Sequence, residues 1–554
     1  MYVRNCLLLL WICLLISLAV VIRADGDEDE SEGNLSRTVL VPSLEGHCQM
    51  EGKVTSCSGF QFESEDEKAT FDLPTEVRIA EDGTTYEVGD EMPSRTLIFE
   101  NCTFTNFPLR LFYTLEVSEL DMRSCGIRFI YWENFSIGAD NLVILLLSDN
   151  KLEMLPMGTF RGAGNLEFLF LNRNKLSKLH AGAFENLKKL QYLDLTENRL
   201  EDLPGGIFSE LKSLRHVGLA HNQLTIIESD LFGQNPGLLS VAMQNNRLRE
   251  VGEYAFRSKG RDHQIQYVDL SNNPQLTVLL LNINATNLTV RNCSLDRVNL
   301  YGSVTNVDLS DNRVRELYFP ASEALEHLVL RNNSLVQLAS LSRVPKLRHL
   351  DVADNPHLGQ LPQGWQTPEL QMLVLRNTGQ VEVPLEALQG MPNLQKLDIS
   401  FNNLTEIDPS TFPTLTQLTH FFIHGNNWNC FSLRVIMDVL IRGNGITYTI
   451  DDYNPNFPGE YFHGIACMYR LSEKESLDSS SSSSELSASV ESSPKQSSVE
   501  PSEVEKLRQE LKSVVQHFET KFDMIFNKLA QLNEQMQSFE VLNKTVWSQV
   551  TLSV

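Results

Sequence analysis

The chain has 554 residues, with 71 Asp and Glu against 46 Lys and Arg and a formal charge of −25. That balance excludes sequence-independent nucleic-acid binding, which needs clustered Lys and Arg, and docking on an anionic membrane surface. With 42% hydrophobic residues the chain can build a large core, so it is not wholly disordered.

The N-terminus reads as a targeting signal. Arg4 carries a positive charge, Cys6–Ile22 is a 17-residue apolar stretch without a charge, and Ala24 precedes the acidic run Asp25-Gly26-Asp27-Glu28-Asp29-Glu30. This is the pattern of a secretory signal peptide, residues 1–24, cleaved near Ala24; an uncleaved anchor is the competing reading. No other segment reaches the length of a membrane span, so no stable membrane insertion is expected and the mature protein should be extracellular. Nine Asn-x-Ser/Thr sequons, at Asn34, Asn101, Asn134, Asn284, Asn287, Asn292, Asn332, Asn403 and Asn543, agree with secretion. Asn101 and Asn292 have Cys in the middle position, which lowers use. Asn134, Asn284 and Asn332 are the favoured glycosylation sites if they lie on exposed surface.

After an acidic arm and N-terminal cap (25–94), a repeat fills residues 95–428. Leu145-x-Leu147-x-x-Asn150-x-Leu152 recurs as Leu169-x-Leu171-x-x-Asn174-x-Leu176 and as Leu193-x-Leu195-x-x-Asn198-x-Leu200. The Asn slot falls at 102, 125, 150, 174, 198, 222, 246, 273, 293, 312, 333, 355, 378, 402 and 426, giving fifteen repeats spaced by 19 to 27 residues. This is the leucine-rich repeat. Each repeat contributes a short strand whose Leu side chains enter a shared core, and the Asn satisfies backbone groups of neighbouring turns. One repeat cannot bury its own apolar face, so the stack is the folding unit. The expected fold is an α/β leucine-rich-repeat solenoid, a horseshoe with strands on its concave face. Phe160, Phe184, Phe208, Phe232 and Phe256 recur every 24 residues and should pack the convex layer. Between Pro274 and Asn355 the spacing shortens and this Phe disappears, so the return segments there should be more extended; Phe412 restores the pattern.

Seven cysteines follow the signal. Cys102, Cys125 and Cys293 occupy Asn slots and read as buried structural thiols; a Cys102–Cys125 bond is possible but not required. Cys48 and Cys57 lie before the solenoid, and Cys430 and Cys467 after it. An oxidising compartment favours the pairs Cys48–Cys57 and Cys430–Cys467, each holding a cap over an open end of the stack. In the C-terminal cap (429–470), Ser432 is the expected N-cap of a helix from Leu433 to about Ile441. Strands of the N-terminal cap are expected between Phe60 and Met92.

Residues 471–502 are rich in Ser and Glu, with an unbroken Ser run at 479–484, and form a disordered linker. Residues 503–554 carry a heptad stripe. Leu511, Phe518, Ile525, Leu532 and Phe539 take one core position; Val515, Phe522, Leu529 and Met536 take the other. This predicts an α-helical coiled coil that needs a partner helix; folding back on the solenoid is the alternative. Asn543 fits a register-setting core position and is also a sequon, and the two uses exclude each other.

No nucleophile elbow, His-Glu-x-x-His or phosphate-binding Gly loop is present, and the histidines show no metal-ligand spacing, so neither an enzyme nor a cofactor is expected. Asp194, Asp269, Asp308, Asp351 and Asp398 recur between the paired Leu residues of their strands. They form an acidic stripe for a cationic ligand, or merely solvate the face. Arg291, Arg331 and Arg376 share that face, and Phe170 and Phe422 are its exposed aromatic anchors; these five are the concave-face binding candidates.

Signal peptide, N-terminal Cys pair, solenoid, Trp428-Asn429-Cys430 cap, Ser linker and terminal coil form an ordered set. It resembles the mosquito leucine-rich-repeat immune proteins, and Gly425-Asn426-Asn427-Trp428-Asn429-Cys430-Phe431-Ser432-Leu433 and Gly464-Ile465-Ala466-Cys467 are similar to that family's cap phrases. The resemblance implies a secreted haemolymph factor in innate immunity, pairing through its coil with another coiled-coil repeat chain or itself. It also implies a thioester-containing complement-like protein as partner. Covalently paired members carry further cysteines near the cap; here Cys467 stands alone before Met468, so no inter-chain disulfide is expected. The alternative function is an extracellular adhesion or receptor-type ligand-binding protein.

Overall fold

The computed structural model describes residues 37–469, apart from 41–46, 52–53, 63–75, 80–84, 89–95, 110, 113–115, 258–263, 321, 363, 409, 411–414 and 443–445. The expected signal peptide, linker and coiled coil, with Asn34, Asn543 and Phe412, lie outside the described residues.

The described chain is organised on one 18-stranded sheet. It begins with the antiparallel strands Arg37–Leu40, His47–Glu51 and Val54–Ser58, in which Cys48 faces Cys57 and is disulfide-bonded to it. Val54–Ser58 then pairs in parallel with Thr96–Glu100, and every later strand joins in parallel through to His420–Phe422. One strand per repeat pairs with the next because each Leu-x-Leu phrase places two side chains inward and one outward. In Tyr192–Asp194, Leu193 is buried while Tyr192 and Asp194 are half-buried on the outer face.

Each repeat turns out of its strand by the same device. The residue before the Asn slot takes a left-handed conformation throughout, from Asn101 (φ 52°) through Asp149, Asn245 and Asn332 to Gly425 (φ 69°). Asn and Asp dominate there because their short polar side chains tolerate that region. The Asn that follows turns inward. Asn198 Nδ2 donates to Leu171 O, Leu195 O and Thr196 O, and its Oδ1 accepts from Leu176 N. The slot therefore stitches each repeat to the one before it. Thr378 holds it in one repeat, donating from Oγ1 to Leu375 O. Cys102, Cys125 and Cys293 hold it in others as free thiols that donate to carbonyls, Cys293 to Leu270 O and Arg291 O. Burial pushes the Cys125 thiol up to about 12 and the Cys293 thiol up to about 11, so both stay protonated.

On the opposite side Phe160, Phe184, Phe208, Phe232 and Phe256 are buried in a stack with ring centroids 5.3–6.4 Å apart. Where this ladder ends, the shorter return segments are extended: Val278–Asn282, Arg297–Tyr301 and Glu316–Tyr318 form a second parallel sheet. The helical half of the expected α/β alternation is nearly absent. Among the described residues the α-helices are Leu385–Gln389 and Cys430–Arg442. The other described return segments are turns, short 3-10 stretches and short extended pairs such as Met154–Leu155 with Lys178–Leu179, because so few residues must cross the core and come back.

The C-terminal cap closes the stack. Its helix starts at Cys430, three residues earlier than expected, because Asn429 rather than Ser432 is the cap: Asn429 Oδ1 accepts from Phe431 N and Ser432 N. Cys430, Leu433, Ile436 and Met437 bury one helix face. Cys430 is bonded to Cys467, and Trp428 is buried with Nε1 donating to Ile423 O. Phe421 N donates to Thr447 O, which occupies the exposed edge of the last strand.

Candidate protein-binding face

Strand register decides which side chains meet on the outer face of the sheet. The first outward column runs Ile144, Phe168, Tyr192, His216, Ser240, Tyr267, Asn287, Asn306, His327, His349, Met372, Lys396, His420. The second runs Leu146, Phe170, Asp194, Gly218, Ala242, Asp269, Thr289, Asp308, Val329, Asp351, Val374, Asp398, Phe422, through the same pairings.

Three zones result. Near the N-terminal end, Ile144, Leu146, Phe168, Phe170 and Tyr192 lie on three adjacent strands, each half-buried with apolar surface still open. Phe170 packs against Tyr192 with tilted rings at 5.0 Å between centroids, and Tyr192 reaches His216 at 6.1 Å. The middle is polar. Asn306 Nδ2 donates to Asn287 Oδ1, and Asn287 Nδ2 to Gln266 O. The C-terminal zone is rich in imidazole and guanidinium groups. His327 and His349 are register partners with rings 5.8 Å apart. Burial, reinforced by His327 and Lys396, holds His349 down to about 4, so the ring is neutral at physiological pH. Burial likewise lowers His216, His327 and His424.

The acidic stripe is committed to the fold. Asp194, Asp269, Asp308, Asp351 and Asp398 each accept the backbone N–H two residues on, at 2.9–3.0 Å. The donating residue is Thr196, Ser271, Ser310, Ala353 or Ser400, all small. Between Asp194 and Asp269 the corresponding pairs are Gly218/Ala220 and Ala242/Gln244; between Asp269 and Asp398 every second repeat replaces the Asp and carries Arg two residues on, giving Thr289/Arg291, Val329/Arg331 and Val374/Arg376. From Asp269 to Asp398 the two chemistries therefore alternate from strand to strand. Arg291 pairs with Asp308 and Asp311, and Arg331 with Asp354. Arg376 lies over the Phe401 ring at 4.1 Å.

The five binding candidates share the face but do not converge. Phe170 and Phe422 stand eleven strand steps apart, roughly 50 Å along the sheet at ~4.8 Å per strand. Both are half-buried rather than exposed, and Phe422 lies under Lys396 Nζ at 5.3 Å. Tyr192, Phe168 and the four face histidines escaped the sequence reading, which followed the position between the Leu residues. Reading the preceding position down the 24-residue period would have found them.

The glycosylation candidates differ in surroundings. Asn134 is corrected: it is 2% exposed, and its Nδ2 donates to both Phe107 O and Pro108 O. Both amide hydrogens are used, so a sugar on that nitrogen would break the turn. Asn284 is half-buried, accepting from Ser303 N; Asn332 is exposed and donates to Asp311 Oδ1.

The leucine rich repeat family profile matches residues 140–200, 189–248 and 368–427. Among curated proteins the chain is similar to nephrocan of Mus musculus, 27% identical over 158 residues, covering 26% of this chain and 30% of nephrocan. The chain spans less than a third of the length of the curated relatives it matches. Among solved structures it is similar to the LRIM1/APL1C complex, at 18% identity and TM-score 0.51, covering 88% of this chain and 81% of that one. It is also similar to the APL1 leucine-rich repeat domain, at 19% identity and TM-score 0.50, covering 75% and 98%. At such identities the likeness is one of fold, and the fold is a leucine-rich-repeat solenoid.

Proposed function

We propose that the protein is a secreted innate-immune scaffold that binds protein partners on the face of its long sheet and assembles through its C-terminal coiled coil. The carrying observation is the patch of Ile144, Leu146, Phe168, Phe170 and Tyr192, five large side chains left partly open on adjacent strands. Rigid aromatic and aliphatic clusters of this kind anchor protein interfaces. Two cap disulfides support an oxidising, extracellular setting. Among the described residues no helix is long and apolar enough to cross a membrane. Pairing with a second repeat chain is supported by the LRIM1/APL1C complex, whose fold this chain shares. A complement-like thioester protein is the proposed effector.

The test captures tagged protein from extracellular fluid in three forms: intact, truncated after Arg470, and Phe170→Asp. The reading expects truncation to lose a coiled-coil repeat partner and Phe170→Asp to lose the thioester-class effector while keeping the coil partner. Monomeric recovery of all three forms, with nothing bound, would overturn it.

A further inference from the structure

Seven sequons lie among the described residues, and one of them sits in a built recess. In Phe401-Asn402-Asn403-Leu404-Thr405, Asn402 and Leu404 are buried, so Phe401 and Asn403 are exposed on either side of the turn. The Asn403 backbone N–H is held by Gln380 O at 2.8 Å, and its side chain makes no hydrogen bond among the described residues. By contrast Asn134 uses both amide hydrogens, and Asn287, Asn292 and Asn332 each commit one.

Phe401 is the exceptional residue of its column. It holds the left-handed slot at φ 56°, where the other repeats carry Asn, Asp, Ser, Arg, Glu, His or Gly. A bulky aromatic is disfavoured in that region, and the residue is left 44% exposed. Arg376 covers part of it, and His424 meets it edge-on at 4.9 Å. Gly425 makes this placement possible, since a Cβ there would come within 2.8 Å of the ring. The uncovered part of the ring opens into a recess of about 400 Å³ whose wall includes Asp354, Arg376, Asn377, Asn403 and Asn427.

An aromatic surface ringed by a guanidinium, a carboxylate and amides suits a pyranose. The C–H face of the sugar meets the negative face of the ring. Its hydroxyl and acetamide groups find both donors and acceptors at the rim. The sugar source lies in the recess wall: the Asn403 nitrogen itself.

We propose that Asn403 carries an N-linked glycan whose first N-acetylglucosamine seats against Phe401. The step bonds Asn403 Nδ2 to C1 of a lipid-diphosphate-linked oligosaccharide. The C1–O bond breaks, the lipid diphosphate leaves with the electron pair, the amide loses one proton, and nothing is oxidised or reduced. The proposal rests on the secretory reading above.

The test is peptide mass spectrometry of the full chain secreted from eukaryotic cells, with site occupancy read after enzymatic glycan release. Asn403 should be occupied, and Thr405→Ala should remove one glycan's mass. Trimming the glycan to a single N-acetylglucosamine should keep a Tm above that of fully deglycosylated protein, and Phe401→Ala should abolish that difference. Bare Asn403 in secreted protein modified at Asn284 or Asn332 would overturn the site. A Tm difference unchanged in Phe401→Ala would overturn the seat. A chain retained in the cytosol with every sequon bare would overturn the secretory reading, and this proposal with it.

Discussion

Asn198→Ala tests whether the Asn slot holds the stack together. The wild-type side chain makes three donations and accepts one. The carbonyls it leaves are not orphaned. Leu171 O still receives Asn174 Nδ2, Leu195 O still receives Asn222 Nδ2, and Thr196 O still receives Arg173 N. Leu176 N–H loses its acceptor in a dry interior. One stranded donor costs about 1–3 kcal/mol and each weakened carbonyl a fraction of that, so the expected loss is about 2–4 kcal/mol. Urea unfolding of the secreted protein reads the total, and amide exchange at Leu176 reads the cause. Asn198→Cys should cost less, because Cys293 shows that a thiol can donate from this slot. Full protection of the Leu176 amide in Asn198→Ala, with a loss below ~1 kcal/mol, would refute the reasoning.

His349 titrates near 4 in the fold against about 6.5 in an unfolded chain, so the unfolded state binds more protons between those values. Stability should fall as pH drops through that window, and His349→Gln should flatten the slope; equal slopes in urea midpoints taken from pH 7 to pH 4 would contradict this. Removing Cys430–Cys467 by a double Ser substitution opens a closure of 37 residues' separation, a loss of about 4 kcal/mol on chain-entropy grounds. It should appear first as amide exchange in the helix Cys430–Arg442. Phe208→Ala takes a buried ring from the middle of the Phe ladder and should cost about 3–5 kcal/mol in urea unfolding. Cys125 and Cys293 should resist alkylation in native protein at pH 8 and react only after unfolding, a contrast that a timed thiol-labelling series would reveal.

The periodic parts of the molecule were legible because the same local requirement recurs in every repeat. The Leu pair, the inward Asn and the Phe at 24-residue spacing each occupy a position whose inward direction is set by its own turn, and Leu193, Asn198 and Phe208 are buried as that pattern predicts. The cap helix begins three residues before the Leu433 that a Ser432 cap predicts, because Asn429 already accepts the N–H groups of Phe431 and Ser432.

What the sequence alone determined, then, is the solenoid: one strand per repeat, a shared core, and thiols that replace Asn in its slot. What only the tertiary structure decided is the face. Outward residues such as Phe170 and Tyr192, or His327 and His349, are more than 20 positions apart in the chain and become neighbours only when strands pair in register. The same assembly buried the carboxamide of Asn134 against Phe107 O and Pro108 O of the preceding repeat. It also placed the exposed ring of Phe401 beside Asn403 in a recess that Gly425 leaves open. Which side chains point into the core is a local consequence of each repeat's own pattern, and stacking identical patterns buries them, whereas the chemistry of the sheet surface depends on which unlike residues the register brings side by side.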